Sequence, residues 1–122
     1  MLKVAVLGLG RFGSSVAVEL SRLGAEVLAV DRSLRLVEGV SNFVAEAESF
    51  DATDANLLTA RGIGKMDVAV VAVGDFEAPR ILEEVRALFA DAEPGKAFRN
   101  RPAEPEQTAL RTALLRRPFE RA

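Results

Sequence analysis

Residues 4–20 read VAVLGLGRFGSSVAVEL, an apolar run that turns through Gly-x-Gly-x-x-Gly and resumes as an amphipathic segment. Glycines at that spacing, between a strand and a helix, require a backbone that bends sharply and stays bare at its tip. Gly8 permits the tight turn, Gly10 lets the main chain approach a phosphate, and Gly13 lets the helix pack closely on the strand. The unpaired N–H groups of the first helical turn, with the positive end of the helix dipole, then face an anion. Alone, the motif is weak, because any close β-to-α turn can use it. Its setting strengthens it.

The following residues alternate strand and helix, the pattern of a parallel α/β sheet. KVAVLG (3–8) is a near-continuous apolar run, as a strand covered on both faces should be. A helix is expected over 12–23, with Phe12, Val16, Leu20 and Leu23 inward and Gly24 just beyond its end. EVLAVD (26–31) is a second strand, and 34–40 a short helix weakened by Gly39. FVAEAES (43–49) alternates apolar and acidic residues, which suits an edge strand. Thr53 or Asp51 is expected to cap a helix over 54–61, and DVAVVAVG (67–74) is a fourth strand as apolar as the first. Right-handed crossovers give the order 3-2-1-4 and a crevice at the carboxyl ends of strands one and four. The expected architecture is therefore a Rossmann-like parallel sheet of at least four strands.

Beyond residue 78 the chain changes character. All five prolines lie there, and after Val85 there is neither Val nor Ile. The expected organisation is a nucleotide-binding core over 1–78, then 79–122 as a helix, a Pro-rich linker and a short terminal helix. Pro79 suits the first turn of the first of these helices, with Ile81, Leu82, Val85, Leu88 and Phe89 on one face. DAEPGKAFRNRPAEPEQ (91–107) reads as linker, and EQTALRTALLRR (106–117) as a helix with Leu110, Leu114 and Leu115 inward. The second half of a full doubly wound sheet is thus truncated, with a helical C-terminal segment.

Strand two ends in Asp31, 23 residues beyond Gly8, where an acid accepts hydrogen bonds from ribose hydroxyls. It would repel a 2′-phosphate, which disfavours NADP against NAD, ATP, ADP or AMP. Arg32 beside it is either a partial offset to that repulsion or a solvated side chain. Arg11, inside the loop, either grips a terminal phosphate through its fixed fork of donors or is solvated at the loop tip. Asp51, Ala52 and Thr53 follow strand three and either contact adenine or serve as a helix cap. Ala72, Val73 and Gly74 end strand four and form the other wall of the crevice.

What is missing narrows the chemistry. The chain has no Cys, His, Tyr or Trp, so thiolate catalysis, zinc ribbons and the commonest general base are excluded. No acidic cluster marks a metal site. A net charge of −2 offers no basic face for nucleic acid, and no apolar segment approaches the ~20 residues that span a bilayer.

VLGLGRFGSSVAVELSRLGAEVLAVD and DATDANLLTARGIGKMDVAVVAVGD, within residues 2–78, closely resemble the nucleotide-binding lobe of potassium-transport regulators, the RCK, KTN or TrkA-N domains. The Arg-Phe pair in the loop, the Asp-Ala-Thr after strand three and the Gly-Ile turn before strand four carry the resemblance. It implies a cytoplasmic regulatory subunit, not an enzyme, that binds ATP, ADP, AMP or NAD(H). It also implies homo-oligomers, dimers or rings, that dock at the inner face of the membrane without inserting into it, beneath the subunit of a potassium channel or transporter. By position, Gly8, Leu9, Gly10, Arg11, Phe12 and Gly13 would hold phosphates and Asp31 the ribose. Asp51 and Ala52 would lie beside the adenine, and Arg11 would reach a terminal phosphate, either in its own subunit or from a neighbouring one. No residue is expected to be catalytic or to bind metal.

The fifth and sixth strands of that family are not legible here. VAVVAV would then be an exposed apolar edge, so the C-terminal segment or a second copy of the chain is expected to cover it. Two other functional classes remain. One is a fragment of an NAD-dependent oxidoreductase, which would need a proton-transfer group that the chain does not evidently supply. The other is a truncated Rossmann scaffold without a ligand.

Overall fold

A computed structural model describes residues 2–74, 78–88, 93–94, 98–99 and 110–116, the last three segments as backbone. Strand β1 (Lys3–Leu7) leads through the glycine loop into α1 (Arg11–Arg22), and β2 (Glu26–Asp31) into α2 (Leu34–Val40). Then come β3 (Glu46–Ser49), α3 (Ala55–Ala60), a 3₁₀ turn at Ile63–Lys65, β4 (Val68–Gly74) and α4 (Ala78–Leu88). Two-residue strands β5 (Glu93–Pro94) and β6 (Phe98–Arg99) precede β7 (Leu110–Arg116). The sheet runs β3-β2-β1-β4-β7-β5, with β6 also paired to β7. β1 to β4 are mutually parallel and stand in the expected 3-2-1-4 order.

Strand periodicity divides the core into two layers. Val4 and Val6 of β1 face α1 and α2 with Val27, Ala29, Val68, Val70, Ala17 and Val37. Ala5 and Leu7 face the other way, with Leu28, Val30, Ala69, Val71 and, from α3 and α4, Leu58, Ile81 and Val85. Each central strand is thus buried on both faces, which explains the lack of polar alternation in its sequence.

Four expectations need correction. The C-terminal segment is a strand, not a helix: β7 pairs antiparallel with β4 from Gly74↔Leu110 to Val68↔Arg116. Leu, Arg and Ala favour helix locally, but the unpaired main-chain groups along the apolar β4 edge supply a ladder that a helix there would leave open. The cover expected for VAVVAV therefore comes from the chain itself. β3 begins at Glu46 rather than residue 43, because 41–45 form the turn out of α2, where Phe43 N–H donates to Val40 C=O at 2.9 Å. On α1, Phe12 is 38% and Leu23 72% exposed, while Gly13 and Ala17 are buried. Val16 and Leu20, with Val18, pack partly buried against the core, so the expected face holds in its middle and fails at its two ends. Finally, Asp54 caps α3, through Asn56 N–H at 3.0 Å and Leu57 N–H at 3.2 Å, in place of Asp51 or Thr53. Within α4, Ile81 and Val85 are buried and Leu82 and Leu88 partly so, as the spacing implies; Phe89 and most of 91–107 lie outside the described residues.

Candidate functional site

The glycine loop is fixed by steric contacts at both ends and left bare in its middle. Gly8 has φ +105°, and a Cβ there would sit 2.2 Å from the Ala72 carbonyl oxygen. Its N–H donates to Val30 C=O at 2.8 Å, which ties the turn to β2. A Cβ on Gly13 would lie 1.8 Å from the Gly8 carbonyl oxygen, so α1 approaches the turn closely only because position 13 has no side chain. Around Gly10 a Cβ would meet nothing within 4 Å. Gly10 is also the N-cap of α1, and no side chain caps that helix. Its first N–H groups therefore open onto free space, the arrangement that receives phosphate oxygens.

Asp31 stands beside this loop. Its Oδ2 accepts from Leu9 N–H and its Oδ1 from Ser33 N–H, both at 2.8 Å. Asp51, at the end of β3, accepts through Oδ1 from Thr53 N–H at 2.9 Å and from the Thr53 hydroxyl at 2.7 Å. These two bonds, the backbone one foremost, hold its carboxyl below the usual carboxylate range, and the charges of Arg32 and Arg80 add to the effect. The acid is therefore ionised and flanked by cations.

A crevice at the carboxyl ends of the strands brings Gly8, Asp31, Arg32, Asp51, Ala52 and Val73 together. The other expected residues lie outside its lining. Gly10, Arg11 and Phe12 are exposed and do not line it, Leu9, Gly13 and Ala72 are buried, and Thr53 is hydrogen-bonded to Asp51. Gly74 ends β4 opposite Leu110. Val30, Phe50 and Ile81 also line the crevice, and none of them stands out in the sequence. Phe50 directly follows β3, which is the signal that could have marked it. Ile81 reaches the crevice from α4, which spacing alone could not show, nor could it show that the charge of Arg80, one residue earlier, acts on Asp51. No group of three or more His, Cys, Asp or Glu suited to a metal occurs among the described residues.

Residues 4–93 match the family model for the TrkA-N domain. This chain belongs to the TrkA-N family. The Ktr system potassium uptake protein A of Bacillus subtilis (strain 168) is 43% identical over 70 residues, 57% of this chain and 32% of that protein. Ktr system potassium uptake protein C of the same organism is 38% identical over 71 residues, 58% and 32% of the two chains. The TrkA-N chain thus spans about a third of the length of these relatives. Among solved structures, a chain of dipicolinate synthase from Bacillus halodurans superposes with TM-score 0.51 at 31% identity, covering 68% of this chain and 27% of that one. Apo saccharopine dehydrogenase from Saccharomyces cerevisiae gives TM-score 0.59 at 18% identity, over 73% and 20%, which shows a shared fold alone. The parallel sheet in 3-2-1-4 order is Rossmann-like, and family and fold together support a nucleotide ligand in general. Among the described residues no helix is long and apolar enough to cross a membrane.

Proposed function

We propose that this TrkA-N domain is the nucleotide-sensing regulatory part of a potassium-uptake system. In this reading residues 1–78 form the binding core and an adenine nucleotide or NAD(H) is the ligand. The observation that carries it is the uncapped start of α1 at Gly10, open to solvent and set beside Asp31. The Ktr relatives support the link to potassium uptake, since both carry it in their names. Phosphates would lie over Gly8–Gly13 and the ribose against Asp31. The base would lie towards Asp51 and Ala52, with Ala72, Val73 and Gly74 behind it and Arg32 and Thr53 at its margin. The crevice holds about 40 Å³, room for a few waters, so the nucleotide would lie along its rim rather than inside.

No bond of the ligand need break. A nucleotide that binds one shape of the assembly better than another shifts the population, with a coupling of about 1–3 kcal/mol. The assembly would be a homo-oligomer, a dimer or ring, docked on the cytoplasmic side of a membrane transporter or channel. No catalytic residue is assigned.

Calorimetric titration with ATP, ADP, AMP, NAD and NADH, repeated on Arg11→Ala, tests this. Tighter binding of ATP than ADP, lost in Arg11→Ala, is the expected result and makes Arg11 the reader of the terminal phosphate. A preference for NADH that ignores Arg11 would turn the domain into a redox sensor. A folded protein that binds none of the five would overturn the reading.

A further inference from the structure

We propose that Asp31 is the positioning residue of the glycine loop: its carboxylate sets the direction of the phosphate-facing amides while standing at the ribose end of the site. The proposal rests on the nucleotide reading above and adds to it a coupling between the two ends of the ligand.

The loop is held at three places. Gly8 N–H is tied to Val30 C=O, and Gly13 rests on the Gly8 carbonyl. Between them a side chain supplies the tether, with Leu9 N–H donating to Asp31 Oδ2 at 2.8 Å. Leu9 itself is 1% exposed, so this bond lies at the part of the loop that dips into the core just before the backbone emerges at Gly10. The second oxygen of Asp31 holds Ser33 N–H, and Ser33 in turn caps α2 through Leu36 N–H. One carboxylate therefore joins the turn after β1 to the turn after β2.

An ionised carboxylate offers about four acceptor positions. Two are taken by main-chain N–H groups, and the rest remain for a ribose diol. Hydrogen bonds to a charged acceptor are the stronger kind, and these are partly shielded from water. Asparagine at this place would keep one acceptor oxygen and turn its NH₂ group towards the other N–H. One of the two tethers must then break.

The test uses the full chain with Asp31→Asn, and Asp31→Ala as the harsher change. Inorganic tripolyphosphate, which carries no ribose, is titrated beside ATP, and backbone amides are followed by NMR and hydrogen exchange without ligand. In Asp31→Asn the affinity for tripolyphosphate is expected to fall about tenfold or more, together with that for ATP. The Leu9 amide should move upfield and Gly10–Gly13 exchange faster, while Val70 and Val71 keep their protection.

Unchanged tripolyphosphate binding with weakened ATP binding would make Asp31 a ribose reader only and overturn the proposal. So would an unmoved Leu9 amide, or a uniform loss of protection that includes β4. If the parent chain binds neither probe, the nucleotide reading fails by itself, and the Leu9 and loop amides still decide whether Asp31 shapes the loop.

Discussion

Helices α1, α2 and α3 each start just beyond the carboxyl end of a parallel strand, yet they treat their first N–H groups in opposite ways. Ser33 Oγ accepts from Leu36 N–H at 3.4 Å at the start of α2, and Asp54 Oδ1 takes two N–H groups of α3. α1 starts at a glycine with no side chain to offer. It is also the longest of the three, 12 residues against 7 and 6. Glycine in place of a capping side chain costs a helix only about a few tenths of a kcal/mol, and here that cost falls on the longest of the three. The difference teaches where the molecule keeps its hydrogen-bond donors in reserve: at Gly10, beside the crevice, and not at the two helix starts that close on themselves.

The sharpest way to break this comparison is to remove the close approach that sets α1 in place. Gly13→Ala puts a methyl group 1.8 Å from the Gly8 carbonyl oxygen, a backbone atom that cannot swing aside. A loss of about 3 kcal/mol is expected from urea unfolding, at the upper end of overpacking effects. Gly10 is the counter-case. It has open space around it and an extended ψ of −167°, which suits aspartate. Gly10→Asp gives α1 the cap that α3 already has, so stability should rise by about a few tenths of a kcal/mol. Nucleotide binding should be lost, because the new carboxylate occupies the donors and repels phosphate. A variant that is both more stable and still binds ATP would show that the bare helix start is not the phosphate site.

These positions also show how far the sequence alone reaches. Strands one and four, apolar at nearly every position, reveal that both are covered on two faces, and the 3-2-1-4 order follows from crossover handedness. Gly8 and Gly13 are legible because their requirement is local: a turn, and a helix leaving it. The C-terminal strand is not. Its residues prefer helix, and only the vacant edge of β4, distant in sequence, makes them extend. Phe12 and Leu23 mislead for a related reason, since apolar spacing picks out a face but not where it leaves the sheet: Val16 and Leu20 pack on the core, while the two ends of the row are exposed. In the candidate site, the Asp31 position is evident from its distance beyond Gly8. Its bond to Leu9 N–H is invisible in the sequence, because it depends on how two loops from different strands meet.

The capped helices offer a milder contrast. Asp54→Ala removes the acceptor for Asn56 and Leu57 and should cost about 1 kcal/mol. Ser33→Ala removes a single bond of 3.4 Å and should cost less, about 0.5 kcal/mol. Thermal unfolding of the two variants side by side measures the ratio. If Ser33→Ala proved the costlier, the 3.4 Å bond would be the stronger cap despite its length, since the link from Ser33 N–H to Asp31 survives the substitution.

The smallest expected effect belongs to Asp51, which sits one turn before α3 and bonds Thr53 instead of capping the helix. Its carboxyl is held below the usual range in the folded chain, first by Thr53 N–H and then by the Thr53 hydroxyl. A depressed folded value means that the unfolded chain takes up the proton first as the pH falls. The stabilisation is therefore complete above the usual carboxylate range and drains away as the pH drops through the lowered value. Because the side chain is exposed, solvent screens most of this contribution. Asp51→Asn keeps an oxygen for Thr53 N–H but cannot titrate, so its unfolding midpoint should match the parent's most closely at low pH and lag slightly at neutral pH. Equal lag at both would mean that the Thr53 bonds act through shape and not through charge, and that the cations near Asp51 have no part in holding it ionised.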